Sequence, residues 1–173
     1  MTLRPYQQAA VDAAVEWMKK TLAPACIEAA TGAGKSHIIA EIARIIHHQT
    51  GKRVLCLAPS AELVVQNHGK YLASGHRSSM FSASAGAKEL RYSVVFGSPL
   101  TVKNRISAFK RAGADGYALV VIDEAHGITP TVQGIVADMR QGNPNLRVLG
   151  LTATPYRLGS GWIFREDAEG RIN

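Results

Sequence analysis

A chain of 173 residues, 46% hydrophobic and 19% charged, has the size and balance of one globular domain with its own core, which excludes a disordered or fibrous protein. No apolar run nears the ~20 residues that span a bilayer, and the opening MTLRPYQQAAVDAA lacks the apolar segment of a secretory leader, so a cytoplasmic location and no membrane partner are expected. Lys and Arg outnumber Asp and Glu by 20 to 13, a formal charge of +7 that suits a polyanionic partner, although the basic residues are scattered along the chain.

In chain order, RPYQQAAVDAAVEWMKK sets Ala9, Ala10, Ala13, Ala14, Trp17 and Met18 at helical spacing, predicting a first helix with these on its apolar face. APACIEA is short and apolar, a buried strand. After a glycine-containing loop, SHIIAEIARIIHHQ repeats isoleucine at 38, 39, 42, 45 and 46, again helical. KRVLCLAPS is a second strand and AELVVQNHGKYLAS a helix. SSMFSAS and YSVVFGS are two more strands, with LTVKNRISAFKRAG as one helix behind them. YALVVIDEAH is a strongly apolar strand ending in acids, followed by a helix around TVQGIVADMRQ and a last strand, LRVLGLTAT.

Strands alternating with helices, several of them continuously apolar, predict an α/β domain: a mostly parallel sheet with helices on both faces. Ligands of such sheets bind beyond the carboxyl ends of the strands, where TGAGKS, APS, GSP, DEAH and TATP all fall. Past Thr154 no further strand–helix unit is visible, so the expected division is a domain over 1–155 and a polar segment over 156–173. Cys26 and Cys56 lie in apolar strands and read as core. There is no CxxC pair, and His47 and His48 would point about 100° apart on a helix, so no zinc site is expected.

AATGAGKS fits the phosphate-loop pattern, with Ala29 where the first glycine usually stands. Glycines at such a turn let backbone N–H groups of Ala30, Thr31, Gly32, Ala33 and Gly34 curl round phosphate oxygens, and the helix behind aims its positive end at the anion. Lys35 is then the group for the β and γ phosphates, and the Ser36 hydroxyl a Mg²⁺ ligand. VVIDEAH ends a buried strand in acids, which needs a cation or a partner nearby. Asp123 is expected to hold Mg²⁺ opposite Ser36, with Glu124 as general base for the attacking water; by itself DEAH also fits the cap of a helix, the lesser reading. The pairing of the two motifs points to a nucleoside triphosphate with Mg²⁺.

These loops, in this order, resemble the first RecA-like, phosphate-loop motor domain of superfamily 2 helicases, the DEAD/DEAH-box class. LRPYQQ looks like the Q motif, which implies that Gln7 recognises adenine and hence that the nucleotide is ATP. LAPSAELVVQN and VFGSPLTV resemble motifs Ia and Ib, implying nucleic-acid contacts at Pro59, Ser60, Gly97 and Ser98. GLTATP matches motif III, implying that Thr152 and Thr154, with His126, couple the ATP site to the strand. TLRPYQQAAVDA, ELVVQNHGKY, VVFGS and GLTATPYRLGSGW further resemble the RadD branch of DNA-repair helicases, which favours DNA over RNA as partner.

That class carries a second RecA-like lobe bearing an arginine that reaches the γ-phosphate, and the RadD branch a cysteine-rich zinc element; neither pattern is in these 173 residues. The expectation is therefore a first motor lobe that binds Mg-ATP and turns it over slowly, since a supplied arginine is worth about 10³–10⁵ in rate. Ser60 reads equally as a helix N-cap, and Arg157 faces either the nucleic acid or the second lobe. A nucleotide-dependent nucleic-acid-binding scaffold without motor activity, and an RNA helicase lobe, are the alternatives.

Overall fold

The computed structural model describes residues 2–154, 156–157 and 161–162. The expected polar segment over 156–173 and the Arg157 side chain lie outside the described residues, save for two two-residue strands, β8 (Tyr156–Arg157) and β9 (Gly161–Trp162), which pair antiparallel.

Seven strands form the main sheet: β1 (Ala25–Glu28), β2 (Arg53–Leu57), β3 (Ser79–Ser82), β4 (Ala87–Lys88), β5 (Val94–Gly97), β6 (Tyr117–Asp123) and β7 (Arg147–Thr152). Their order is β1-β7-β6-β2-β5-β3-β4, parallel throughout except for β4. All seven residues of β6 are buried, as a central parallel strand covered on both faces requires. Helices α1 (Pro5–Lys20), α2 (Lys35–Thr50) and α3 (Ala61–Ala73) cover one face through Val11, Ile38, Ile42, Val64 and Tyr71. Helices α4 (Pro99–Lys103) and α5 (Pro130–Gly142) cover the other, with Val102, Phe109, Ile135 and Met139 in a second apolar layer. Each fully buried aliphatic side chain here contributes about 1.5–3 kcal/mol. Burial pushes the Cys26 thiol up to about 11, aided by Glu28, and raises Cys56 further, in keeping with core positions. Among the described residues no helix is long and apolar enough to cross a membrane.

Two expectations need correction. The buried residues of α1 are Gln7, Val11, Ala14, Val15 and Met18, whereas Ala9, Ala13 and Trp17 face outward. Alanines bury little area, so the two valines and Gln7 set the rotation, and the Trp17 indole N–H instead caps the following turn at the Ala23 carbonyl, 2.9 Å away. The stretch expected as one helix over 100–113 is broken: α4 ends at Lys103, and 3₁₀ turns follow at Ile106–Phe109 and Gly113–Asp115. The break lets Phe109 enter the core against Phe81 and Tyr117, at ring separations of 5.3 and 5.7 Å. An aromatic buried there is worth more than the helical hydrogen bonds given up.

Candidate functional site

The loop over 29–34 carries the chain from β1 into α2. Its start is tied to the end of β7, the Ala29 N–H donating to the Thr152 carbonyl at 2.9 Å, and the Ala33 N–H closes a turn onto Ala30 at 2.9 Å. Gly32 and Gly34 adopt φ of 81° and 77°. Gly34 has a second reason to be glycine, because a Cβ there would lie 2.4 Å from the Gln7 side-chain nitrogen. The N–H groups of His37 and Ile38 both use the Gly34 carbonyl, at 3.0 and 3.3 Å. Those of Lys35 and Ser36, at the positive end of α2, have no acceptor within their own helix.

Gln7 is buried against this loop. Its Nε2 donates to the Ala33 carbonyl at 2.8 Å, its Oε1 accepts the Arg4 N–H at 2.9 Å, and the Tyr6 hydroxyl donates to the same Ala33 carbonyl at 2.9 Å. The first turn of α1 thus clamps the loop. An amide has two N–H groups and two acceptor directions, so Gln7 keeps one of each for a ligand. Beside it lies a cavity of about 190 Å³ lined by Thr2, Arg4, Gln7, Gly32, Gly34 and His37. Burial, then Lys70 and Arg4, hold His37 below the usual histidine range, so the imidazole there is neutral near neutral pH.

At the carboxyl end of β6 the two acids take different roles. Asp123 is buried; desolvation raises its carboxyl above the usual range, opposed by hydrogen bonds from the Asn67 amide and the Glu124 N–H, both at 2.9 Å. Glu124 sits at φ 53°, ψ 51°, the left-handed region, and no other non-glycine residue among those described has a positive φ. Its carboxylate bridges two groups: Lys35 Nζ at 3.1 Å and His126 Nδ1 at 3.2 Å. His126 Nδ1 also lies 2.9 Å from the Thr152 hydroxyl, which bonds the Thr154 carbonyl and N–H at 3.0 and 3.1 Å. Lys35, Glu124, His126, Thr152 and Thr154 therefore form one connected chain of contacts.

Two residues absent from the sequence expectations complete the centre, and both come from α3. Gln66 Nε2 donates to the Ser36 hydroxyl at 2.7 Å, and its neighbour Asn67 donates to Asp123. Asn67 is 1% exposed and its Oδ1 is buried without a hydrogen-bond partner. A signal for Asn67 existed: it falls in phase with Val64 and Tyr71 on the buried stripe of α3, where a polar side chain needs a reason. Gln66, on the exposed side of that helix, gave none.

The residues expected to meet nucleic acid cluster at the same sheet edge. Ser60 caps α3, its hydroxyl accepting the Leu63 N–H at 3.3 Å, while the Ser98 hydroxyl donates to that of Thr101 at 2.9 Å. The Ala58 N–H donates to the Gly97 carbonyl at 3.1 Å, joining the two loops, and a Cβ on Gly97 would come within 3.0 Å of the Phe81 carbonyl. Pro59 and Ser98 share an open cavity of about 530 Å³ with Leu100, Asp123, Glu124 and Thr131. Ser60 and Gly97 adjoin it without lining it.

The donor set fits a triphosphate with Mg²⁺: a lysine held by a carboxylate it can exchange for phosphate, and hard oxygen ligands on Ser36 and Asp123 that two consecutive residues of α3 grip. A hydroxyl and one carboxylate leave most of an octahedron to phosphate and water, as Mg²⁺ sites of this kind do.

The family described as type III restriction enzyme, res subunit, matches residues 1–157, and the chain belongs to it. The genome polyproteins of two classical swine fever virus strains, Alfort/Tuebingen and Brescia, are each 31% identical over 137 residues, 75% of this chain and 3% of the polyprotein. Among solved structures, the UvsW helicase of bacteriophage T4 superposes with a TM-score of 0.71 at 20% identity, over 90% of this chain and 54% of that one. The Pyrococcus furiosus Hef helicase domain gives 0.65 at 26% identity, over 89% and 33%. The Sulfolobus solfataricus SWI2/SNF2 ATPase core in complex with dsDNA gives 0.61 at 21%, over 90% and 32%. The fold is that of a RecA-like helicase domain, and the chain spans about half the length, or less, of each of these proteins.

Proposed function

We propose that this member of the family is the ATP-binding first lobe of a superfamily 2 motor, which hydrolyses ATP to move along or remodel DNA once a second RecA-like lobe joins it. The observation that carries this reading is the Lys35–Glu124 ion pair of 3.1 Å at the head of α2. It joins a cation poised for phosphate to a carboxylate poised for water.

ATP binding exchanges partners. The γ-phosphate replaces Glu124 on Lys35, the N–H groups opening α2 take phosphate oxygens, and Gln7 offers its remaining donor and acceptor to the adenine edge. Ser36 and Asp123 would hold Mg²⁺, which neutralises the charge that develops on the phosphates. Freed from Lys35, Glu124 is the base that orients and deprotonates the attacking water, a role worth about 10²–10⁴ in rate. His126 keeps contact with Thr152, so the change at Glu124 is felt at the end of β7, and Pro59, Ser60, Gly97 and Ser98 are the backbone-gripping edge. DNA is preferred to RNA on the resemblance to the RadD branch and on the DNA complex of one structural neighbour.

The test is ATP binding and turnover by the chain with and without single-stranded DNA, beside Lys35→Ala. We expect the variant to bind ATP at least about tenfold more weakly, a loss of 1.4 kcal/mol or more, and the wild-type chain to turn ATP over slowly. Equal affinity in the two proteins would overturn the assignment of the loop.

A further inference from the structure

At the amino edge of the sheet, away from the nucleotide loop, lies a cavity of about 310 Å³ lined by His47, Tyr71, His76, Arg77, Arg91 and Tyr92, with Ser93 and Val94 at its floor. β2, five residues long, separates the two edges by about 17 Å of strand. Tyr92 gathers the two arginines. The Arg91 guanidinium lies 5.4 Å and that of Arg77 6.0 Å from the ring centre, and Arg77 Nη1 donates to the Tyr92 hydroxyl at 3.3 Å.

The charge around this cavity is one-sided. Arg77 and Arg91 pair with no carboxylate among the described residues. Two acids near it are taken: Glu41, whose field reaches His76, is held through both oxygens by Arg44 at 2.9 and 2.6 Å, and Asp115 by Arg53 and Arg111, while Glu89, two residues before Arg91, makes no ion pair among the described residues. His47 Nδ1 is fixed at 2.7 Å from the Lys52 carbonyl. The helices α2 and α3 present their C-terminal, partly negative ends to this edge, which disfavours a small anion enclosed in the cavity. Two exposed guanidiniums on the rim suit instead an extended polyanion passing across it.

The geometry points to a second nucleic-acid contact, in which Arg77 and Arg91 bind backbone phosphates of the strand at the edge of the sheet opposite the ATP site. This rests on the reading of the chain as a nucleic-acid motor lobe. The contact is independent of sequence, because backbone phosphates carry no base information. Tyr92 serves to hold the arginines in place.

The test measures binding of a fluorescein-labelled oligothymidylate to the 173-residue chain as salt is varied, for wild type, Arg77→Ala/Arg91→Ala and Arg77→Lys/Arg91→Lys. Loss of two phosphate contacts lowers the slope of log affinity against log salt by about 1.4, so the deficit of the alanine variant shrinks about sevenfold between roughly 50 and 200 mM salt. The lysine variant keeps most of the slope, and ATP binding is unchanged in both. An alanine variant with an unaltered slope overturns this contact and leaves the motor reading standing. A wild-type chain that binds no oligonucleotide overturns both. Competition by inorganic phosphate beyond its effect on ionic strength, lost in the alanine variant, overturns the strand in favour of a free anion.

Discussion

The left-handed backbone at Glu124 permits a prediction with an unusual sign. Glycine in place of alanine ordinarily destabilises a fold by about 0.4–1 kcal/mol, because the unfolded chain gains freedom. At φ 53° an L-residue bears a penalty of about 1–2 kcal/mol that glycine escapes. Glu124→Gly and Glu124→Ala delete the same two ion pairs, to Lys35 and His126, so comparing them isolates the backbone. The strain relief exceeds the entropy loss by about 1 kcal/mol, which for a domain of this length moves Tm by about 2–4 °C. Thermal and urea unfolding followed by circular dichroism should therefore place the glycine variant above the alanine variant. Both should lose ATP turnover by about 10²–10⁴. A glycine variant equal to or less stable than the alanine one would refute the strain, and with it the idea that the fold holds this carboxylate in place at a cost in stability.

Glu124→Gln removes the charge that competes with phosphate for Lys35, a mostly buried pair, so ATP should bind about 1.4- to fivefold more tightly if the pair is worth about 0.2–1 kcal/mol, while turnover collapses; nucleotide titration beside a turnover assay checks both. Gly34→Ala places a Cβ 2.4 Å from Gln7 Nε2 at φ 77°, and should cost about 1–2 kcal/mol in unfolding experiments and weaken ATP by displacing the Gln7 amide. Asn67→Leu loses a hydrogen bond to a carboxylate, about 1.5–3 kcal/mol, but also removes the orphaned Oδ1, about 1–3 kcal/mol, so stability should change little. Its effect falls on Asp123, whose raised carboxyl rises further: Mg²⁺ dependence of ATP binding should weaken on the order of tenfold, most at the acid end of a pH series, because the metal needs the ionised form. The sign for folding is opposite, since a carboxyl raised above 3.8 favours the fold at low pH and that advantage fades as pH rises through its folded value.

Periodicity located the strands and most helices because the dominant force, burial of β-branched and aliphatic side chains on two faces of one sheet, writes itself into short runs such as YALVVID. The loop chemistry was legible for a similar reason, since glycine at φ 77° beside a lysine has few alternative uses. What escaped depends on contacts distant in sequence. Asn67 meets Asp123 across 56 residues and Gln66 meets Ser36 across 30, and neither separation leaves a local pattern. The rotation of α1 escaped because Gln7, a polar residue, occupies the core phase on account of the loop it clamps 26 residues away. The break after Lys103 escaped because Phe109 gains more from Phe81 and Tyr117 than a helix would give it.

The polar residues that support the site share a place and a cause. Gln7, Gln66 and Asn67 are polar residues near the carboxyl edge that hold, respectively, the loop, the Ser36 hydroxyl and the Asp123 carboxylate. Lys35 and Glu124 hold each other. Lys35, Glu124 and Asp123 are thus each satisfied by protein groups, while the Asn67 Oδ1 beside them is buried without a partner. At Lys35 the proposed binding of ATP is then an exchange of partners, and its net gain there is smaller than the gross strength of lysine–phosphate contacts. The same exchange makes α3 sensitive to the nucleotide. Its cap, Ser60, lies in the loop beside Pro59, and six and seven residues on it grips Ser36 and Asp123. A shift of either oxygen toward a cation must therefore move or strain a rigid helix whose capped N-terminus belongs to the edge assigned to nucleic acid.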